Sequence, residues 1–209
     1  MVILFSPKTD SLFKIITSNG VVSEYLFKLK ENYAELCVHS LNVGRLSIDL
    51  GFENNLPEQA ILDLGYAGVF HDIGKIKIPP GIISKQERLT EEEKKILYSH
   101  SRLGFKELQD FPHEEVKRIV VSHHEYNRLA YPRRGIDRRR VIREGQERRL
   151  NNSPLTLTLT QIINAADIFD ALASKRSYKP AFPYEKVKQL LEEQFTGNPE
   201  YVEQLLNLW

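Results

Sequence analysis

A single cysteine, Cys37, stands in a chain of 209 residues, which excludes an intrachain disulfide framework and suits a reducing compartment. Net charge is nearly absent as well. The 29 Lys and Arg against 28 Asp and Glu leave +1, so no global field favours a nucleic-acid polymer or a membrane surface. No run approaches the roughly 18–20 apolar residues of a membrane span. The opening MVILFSPKTDS has too short an apolar run and the wrong flanks for a secretory leader. Internal repeats, low-complexity tracts and strand pairs joined by hairpin turns are all missing. What remains is the composition of one globular, cytoplasmic domain able to bury a sizeable core.

The punctuation is helical. Residues 22–50 space Leu26, Leu29, Tyr33, Leu36, Val43, Leu46 and Leu50 at helical intervals, and Gly51 is placed to close that stretch. Pro57 fits the first turn of a second helix that runs into His71-Asp72. GKIKIPPGII is too rich in Gly and Pro for a helix and reads as a loop. Thr90 with Glu93 forms a capping box, and the helix it starts is expected to carry His100. Pro112 opens a helix that reaches His123. In 155–174 the alternating LTLTLT looks like a strand, but QIINAADIFDALAS is helical and decides the segment. Pro183 and Asn198-Pro199 mark two last helices. The expected fold is all-α, a helical bundle. Residues 1–30, too short for a receiver or PAS-like domain, read as an N-terminal extension, and 31–209 as the main domain.

Between Arg133 and Arg149 eight arginines face three acids. A charge run of this kind is most often a solvated loop. Its place just after Tyr131-Pro132 keeps a second reading, a phosphate-attracting lid or a protein-partner arm.

Six histidines carry the chemical interest: His39, His71, His100, His113, His123 and His124. A lone histidine is usually structural. Here His71 is followed by Asp72, so an imidazole and a carboxylate can reach one metal, and two carboxylate oxygens can bridge two. Iron and manganese accept such mixed ligands. Glu35 lies four before His39 on the same helix face. Asp167 follows the apolar QIINAA, where an acid is costly to bury unless paired or metal-bound.

Taken in order, H39SLNVG, H71DIGK, H100SRLG, H123H124E and A166D167IFDALASKRSYKPA resemble the HD-GYP subgroup of the HD metal-dependent phosphohydrolases, from about residue 33 to 190. HD alone is a weak match; HDIGK with all the other elements in order is specific. The resemblance implies a helical bundle around two or three divalent ions, iron or manganese. It implies hydrolysis of cyclic di-GMP to linear pGpG, in some members onward to GMP. Residue by residue it implies that His39, His71, Asp72 and Asp167 hold one metal. Asp72 would bridge to a second held by His100, His123 and His124, and Glu35 would help hold a third. Lys75, Arg176 and Lys179 would contact substrate phosphate. Asp170 reads as structural, Cys37 as packing, and His113, which matches no element, as a surface residue. The chain departs from the pattern at HHEYNRLAYP. Ala130 stands where the family has glycine, the spacing is one residue short, and the 130–150 loop that follows is longer and richer in arginine. Substrate choice and any protein partner are the properties this change touches. A phosphohydrolase for another nucleotide or cyclic dinucleotide, and a signalling module that binds without turnover, are the competing readings.

Overall fold

The structure is a computed structural model describing residues 5–128, 153–174 and 181–208. Ala130, Tyr131, Pro132, the arginine-rich loop, Arg176 and Lys179 lie outside the described residues. The described residues are almost entirely helical, with no strand among them beyond an isolated bridge between Asn127 and Phe195.

Helix α1 (Pro7–Thr17) starts where Ser6 accepts from the Thr9 amide, with Pro7 at its first position. Helix α2 (Gly20–Asn32) starts on Asn19 in the same way. The helical spacing of 22–50 is not one helix. Tyr33, at φ −148°, breaks it, and α3 (Ala34–Glu53) begins anew. Gly51 does not close α3 either; it is buried inside it. The end comes later, at Asn55, whose φ of 51° is left-handed. There Leu56 N–H donates to Gly51 C=O and Asn55 N–H to Phe52 C=O, a Schellman turn built on asparagine instead of glycine. Gly51 is small for another reason: a Cβ there would press on Leu64 and Ile61 at 3.0 and 3.1 Å.

Helix α4 (Glu58–Phe70) is buried nearly all round, so it forms the axis of the bundle. Its Gly68 lies against Gly44 of α3. A Cβ on Gly68 would stand 2.7 Å from the Gly44 Cα, so the two backbones touch and the His39 and His71 rings are drawn together. The α1 side chains Phe13 and Ile16 join the same core.

GKIKIPPGII is more ordered than its composition suggests. Ile73–Lys77 winds as a 3-10 helix, and Pro80–Ile83 makes one turn, α5. The capping box of Thr90 and Glu93 is present at the start of α6 (Glu91–Tyr98). That helix stops before His100, which instead begins α7 (His100–Glu107). Gly74 lies against the α7 backbone. A Cβ there would fall 1.9 Å from the His100 carbonyl oxygen, so this position of HDIGK admits only glycine. Helix α8 (Glu114–Ser122) ends on His123, and α9 (Pro154–Ala173) takes in the LTLTLT stretch. Ser153 caps α9, and the inward Thr156 and Thr160 are buried as turns of a helix. Two amphipathic helices, α10 (Tyr184–Gln194) and α11 (Glu200–Asn207), close the chain. No helix among the described residues is long and apolar enough to cross a membrane.

Candidate metal centre

Five separate segments deliver imidazoles and carboxylates to one interior point. Three histidines are aimed by a shared device. His71, His100 and His123 each place Nδ1 on the carbonyl three residues earlier, Gly68, Leu97 and Val120, at 2.8, 2.7 and 2.7 Å. A carbonyl only accepts, so each ring carries its proton on Nδ1 and presents the Nε2 lone pair inward. His39 is aimed differently: its Nδ1 lies 2.6 Å from Asp170 Oδ2. Asp170 is fixed in turn by Asn42 and Ser174, which donate to its Oδ1.

The donors gather in two groups, His39 with His71 and Asp72, and His100 with His123 and His124. Asp72 faces both. Its Oδ2 is 3.3 Å from His71 Nε2, and its Oδ1 is 3.3 Å from His100 Nε2. Asp167, at the mouth, sets Oδ1 3.1 Å from His39 Nε2 and Oδ2 3.9 Å from His124 Nδ1. Lys75 donates to Asp72 Oδ2 and keeps about a fifth of its side chain exposed.

Two observations test whether cations fit. Asp72 Oδ1 is fully buried and accepts no hydrogen bond among the described residues, which is costly unless something positive occupies that space. His100 Nε2 and His123 Nε2 lie 3.4 Å apart with both ring protons elsewhere, so two lone pairs face each other. Metal–nitrogen bonds of about 2.0–2.1 Å hold neighbouring ligand nitrogens roughly 3.0–3.4 Å apart. The residues fit divalent ions.

Protonation states agree. Burial pushes His100 down to about 4 and His123 down to about 3. Burial and the neighbouring His123 lower His124 as well. These rings are neutral donors at physiological pH. Burial would raise Asp72, but Lys75 and His71 hold it well below the usual carboxylate range. Burial pushes His39 down too, and Asp167 and Asp170 together outweigh that, raising it to about 9. A metal at His39 therefore displaces a proton.

All the histidines, Asp72 and Asp167 expected from the sequence converge, together with Lys75. Glu35 is exposed on the first turn of α3 and belongs to neither group. Arg176 and Lys179 cannot be placed. His113 is not a bare surface residue. It is held by Asp63 at 2.7 Å and packed on Tyr66 and Phe111, with Asp63 and Tyr66 both on α4. Sequence reasoning missed the residues that aim the ligands: Asp170 as the partner of His39, Asn42 beside it, and Asn127 beside His124. Spacing was the available signal, since Asn42 and Asp170 each lie three after an expected ligand, on its helix face.

The HD domain family profile matches residues 23–195 of this chain. Among curated proteins it is similar to a cyclic di-GMP phosphodiesterase of Thermotoga maritima, 31% identical over 211 residues, covering 98% of this chain and 51% of that one. It is also similar to the 3'3'-cGAMP-specific phosphodiesterase 3 of Vibrio cholerae, 30% identical over 128 residues, covering 61% of this chain and 25% of that one. Among solved structures it shares its fold with the HD domain of the L. monocytogenes phosphodiesterase PgpH in complex with cyclic-di-AMP. The TM-score is 0.59 at 18% identity, covering 88% of this chain and 92% of that one. The chain spans about half, or less, of the length of the curated relatives it matches.

Proposed function

The chain belongs to the HD domain family, and from that premise we propose that it is a metal-dependent phosphodiesterase of the HD-GYP type that hydrolyses cyclic di-GMP to linear pGpG, with GMP as a further product. The observation that carries this is Asp72, one oxygen toward each donor group and Oδ1 buried without a hydrogen bond among the described residues. In this reading His39, His71, Asp72 and Asp167 hold one ion, and His100, His123 and His124 with Asp72 hold the second. Glu35 helps hold a third. Iron or manganese suits the mixed nitrogen and oxygen set. The catalytic unit is 31–209 and 1–30 an N-terminal extension, of which Phe13, Ile16, Val22 and Tyr25 join the core. The buried Cys37, a free thiol that donates to the Leu26 carbonyl, suits a cytoplasmic setting.

Bound divalent ions would supply a hydroxide at neutral pH and charge to the phosphoryl oxygens. The chain's own residues do the rest. The three Nδ1-to-carbonyl bonds keep His71, His100 and His123 in one tautomer, so none of these three rings has to reorient. Lys75 turns from Asp72 toward solvent to donate to a substrate phosphate. Arg176 and Lys179 are proposed for the remaining phosphate charge, and the 130–150 loop for a protein partner.

A second reading has support of its own: relatives named for 3'3'-cGAMP and a fold neighbour bound to cyclic-di-AMP make another cyclic dinucleotide a competing substrate. A module that binds without turnover is disfavoured by the cost of burying so many polar donors for no ion. The test is to purify the protein anaerobically, measure iron and manganese, and incubate it with each of the three cyclic dinucleotides. We expect at least two ions per chain and cleavage of cyclic di-GMP. Two ions with no cleavage of it would reject this reading in favour of whichever dinucleotide is cut.

A further inference from the structure

His124 is the exception within the second donor group: where His100 and His123 set Nδ1 on a backbone carbonyl, its Nδ1 lies 3.1 Å from the Nδ2 of Asn127. Asn127 Oδ1 in turn accepts from Asn164 Nδ2 at 2.7 Å. An amide NH2 donates only, so in this arrangement His124 Nδ1 accepts and the ring proton sits on Nε2. That Nε2 is 3.2 Å from His100 Nε2, whose own proton is on Nδ1. The result is one directed chain of donors, Asn164 to Asn127 to His124 to His100. Its last proton lies between two nitrogens of the second donor group.

The far end of this chain is unfinished. Asn164 is completely buried, and its Oδ1 accepts no hydrogen bond among the described residues. If both amides turn over, that oxygen accepts from Asn127 Nδ2, and Asn127 Oδ1 accepts from His124 Nδ1–H. Nε2 of His124 then presents a lone pair like its neighbours. Neither setting satisfies the whole Asn164 amide among the described residues, so the choice falls to His124 Nε2, whose bond to His100 Nε2 favours the first setting when no ion is bound. An amide turns over with little change of shape.

We infer that Asn127 and Asn164 form a reversible amide relay that sets the tautomer of His124: proton on Nε2 without metal, proton on Nδ1 with it. This rests on the metal-centre reading and deepens it. Both asparagines are positioning residues, acting through His124. Asn127 also anchors the strand-like pairing of the 126–128 stretch with 194–196, where Arg128 N–H donates to Gln194 C=O and Thr196 N–H to Tyr126 C=O. The relay is thereby fixed in place at its middle.

The test uses the full chain labelled with nitrogen-15 histidine, with His124 assigned by difference from His124→Gln. Its tautomer is read from long-range proton–nitrogen correlations, first without metal and then with zinc as a diamagnetic probe. The expected result is a proton on Nε2 without zinc and on Nδ1 with it. Asn127→Asp, which only accepts, should show the Nδ1 proton already without zinc and keep its zinc affinity. Asn127→Leu should lower the affinity of the weaker zinc site roughly 10–100-fold. A His124 tautomer that stays the same on zinc binding, or an Asn127→Leu affinity within about twofold of the unmodified chain, would overturn the relay. If Asn127→Leu does not fold, the unmodified chain and Asn127→Asp still decide. If the unmodified chain takes up no zinc, the metal-centre reading falls with the relay; if it takes up two ions with the tautomer unchanged, the relay alone falls.

Discussion

His39 and His113 make the same first bond: each sets Nδ1 against an aspartate, Asp170 at 2.6 Å and Asp63 at 2.7 Å. Beyond that bond they differ. Around His113 the neighbours are aromatic, Tyr66 and Phe111, and it belongs to no group of donors among the described residues. Around His39 they are His71, Asp72 and Asp167, and its side chain is 7% exposed against 22% for His113. An imidazole on a carboxylate is thus not the mark of a site. The mark is several second nitrogens, already oriented, turned toward one point. The two pairs can be pulled apart by experiment.

The largest contrast is expected from Asp72→Ala against His113→Ala. Removing the residue that faces both groups should lower kcat by roughly 10³-fold or more and cost at least one bound ion. His113→Ala should leave both unchanged. Elemental analysis and turnover of cyclic di-GMP read this directly, and similar losses in the two variants would undo the ligand assignment.

Acid should come next, in protein stripped of metal. His100 is held at about 4 by burial, below an unfolded value near 6.5. The unfolded chain therefore binds the extra proton first. The stabilising contribution of this ring is complete above pH 6.5 and lost as pH falls toward 4, about 3 kcal/mol for this group. His123, lowered to about 3, acts in the same direction. Asp72 and Asp170, both lowered, add a further loss below pH 4. His39 runs the other way: raised to about 9, its contribution is present below 6.5 and fades as pH climbs through 9. Denaturant midpoints across pH 4–9 should show an acid fall that added manganese shifts to lower pH. A flat acid limb would show that these rings are solvated rather than buried.

Asp170→Asn against Asp63→Asn gives a smaller separation. Asp170 orients His39 and is itself fixed by Asn42 and Ser174. Its amide replacement should weaken metal binding roughly 10–100-fold. Asp63→Asn should not alter metal affinity. Competition with a coloured chelator measures both; equal affinities would reduce Asp170 to a packing residue.

The converging side chains were legible where they stand in local clusters. His71-Asp72 and His123-His124 are adjacent in the chain, and HDIGK contains the glycine that lets 73–77 touch α7. Helix ends were legible where a side chain makes them, as at Thr90 and Glu93. They were obscure where the backbone makes them. Apolar spacing runs straight through Tyr33, and Gly51 looks like a terminator though it is a contact. The break at Ser99 leaves no mark, yet it starts α7 at His100. Asp170 was hidden because its partner is distant in the chain, His39 across 131 residues; Asn127 lies only three residues after His124, but nothing in its local pattern marks an amide that orients a ring.

The smallest predicted effect is the one most exposed to refutation. His113→Ala removes a half-buried ring stacked on Phe111 and a hydrogen bond with Asp63 at 2.7 Å. A partly exposed polar contact contributes little, and the ring packs on two aromatics, Tyr66 and Phe111. Together they should be worth about 1 kcal/mol, or roughly 2–4 °C in Tm for a chain of this size. His113 lies at the start of α8, and that helix carries Val116, Ile119 and Val120 in the core before it ends on His123. If those three core side chains anchor α8, loosening its first turn will not move His123. Tm should then fall while ion content and turnover hold. A fall in ion content instead would mean that the Asp63 contact positions the helix, and that the two pairs are parts of one device.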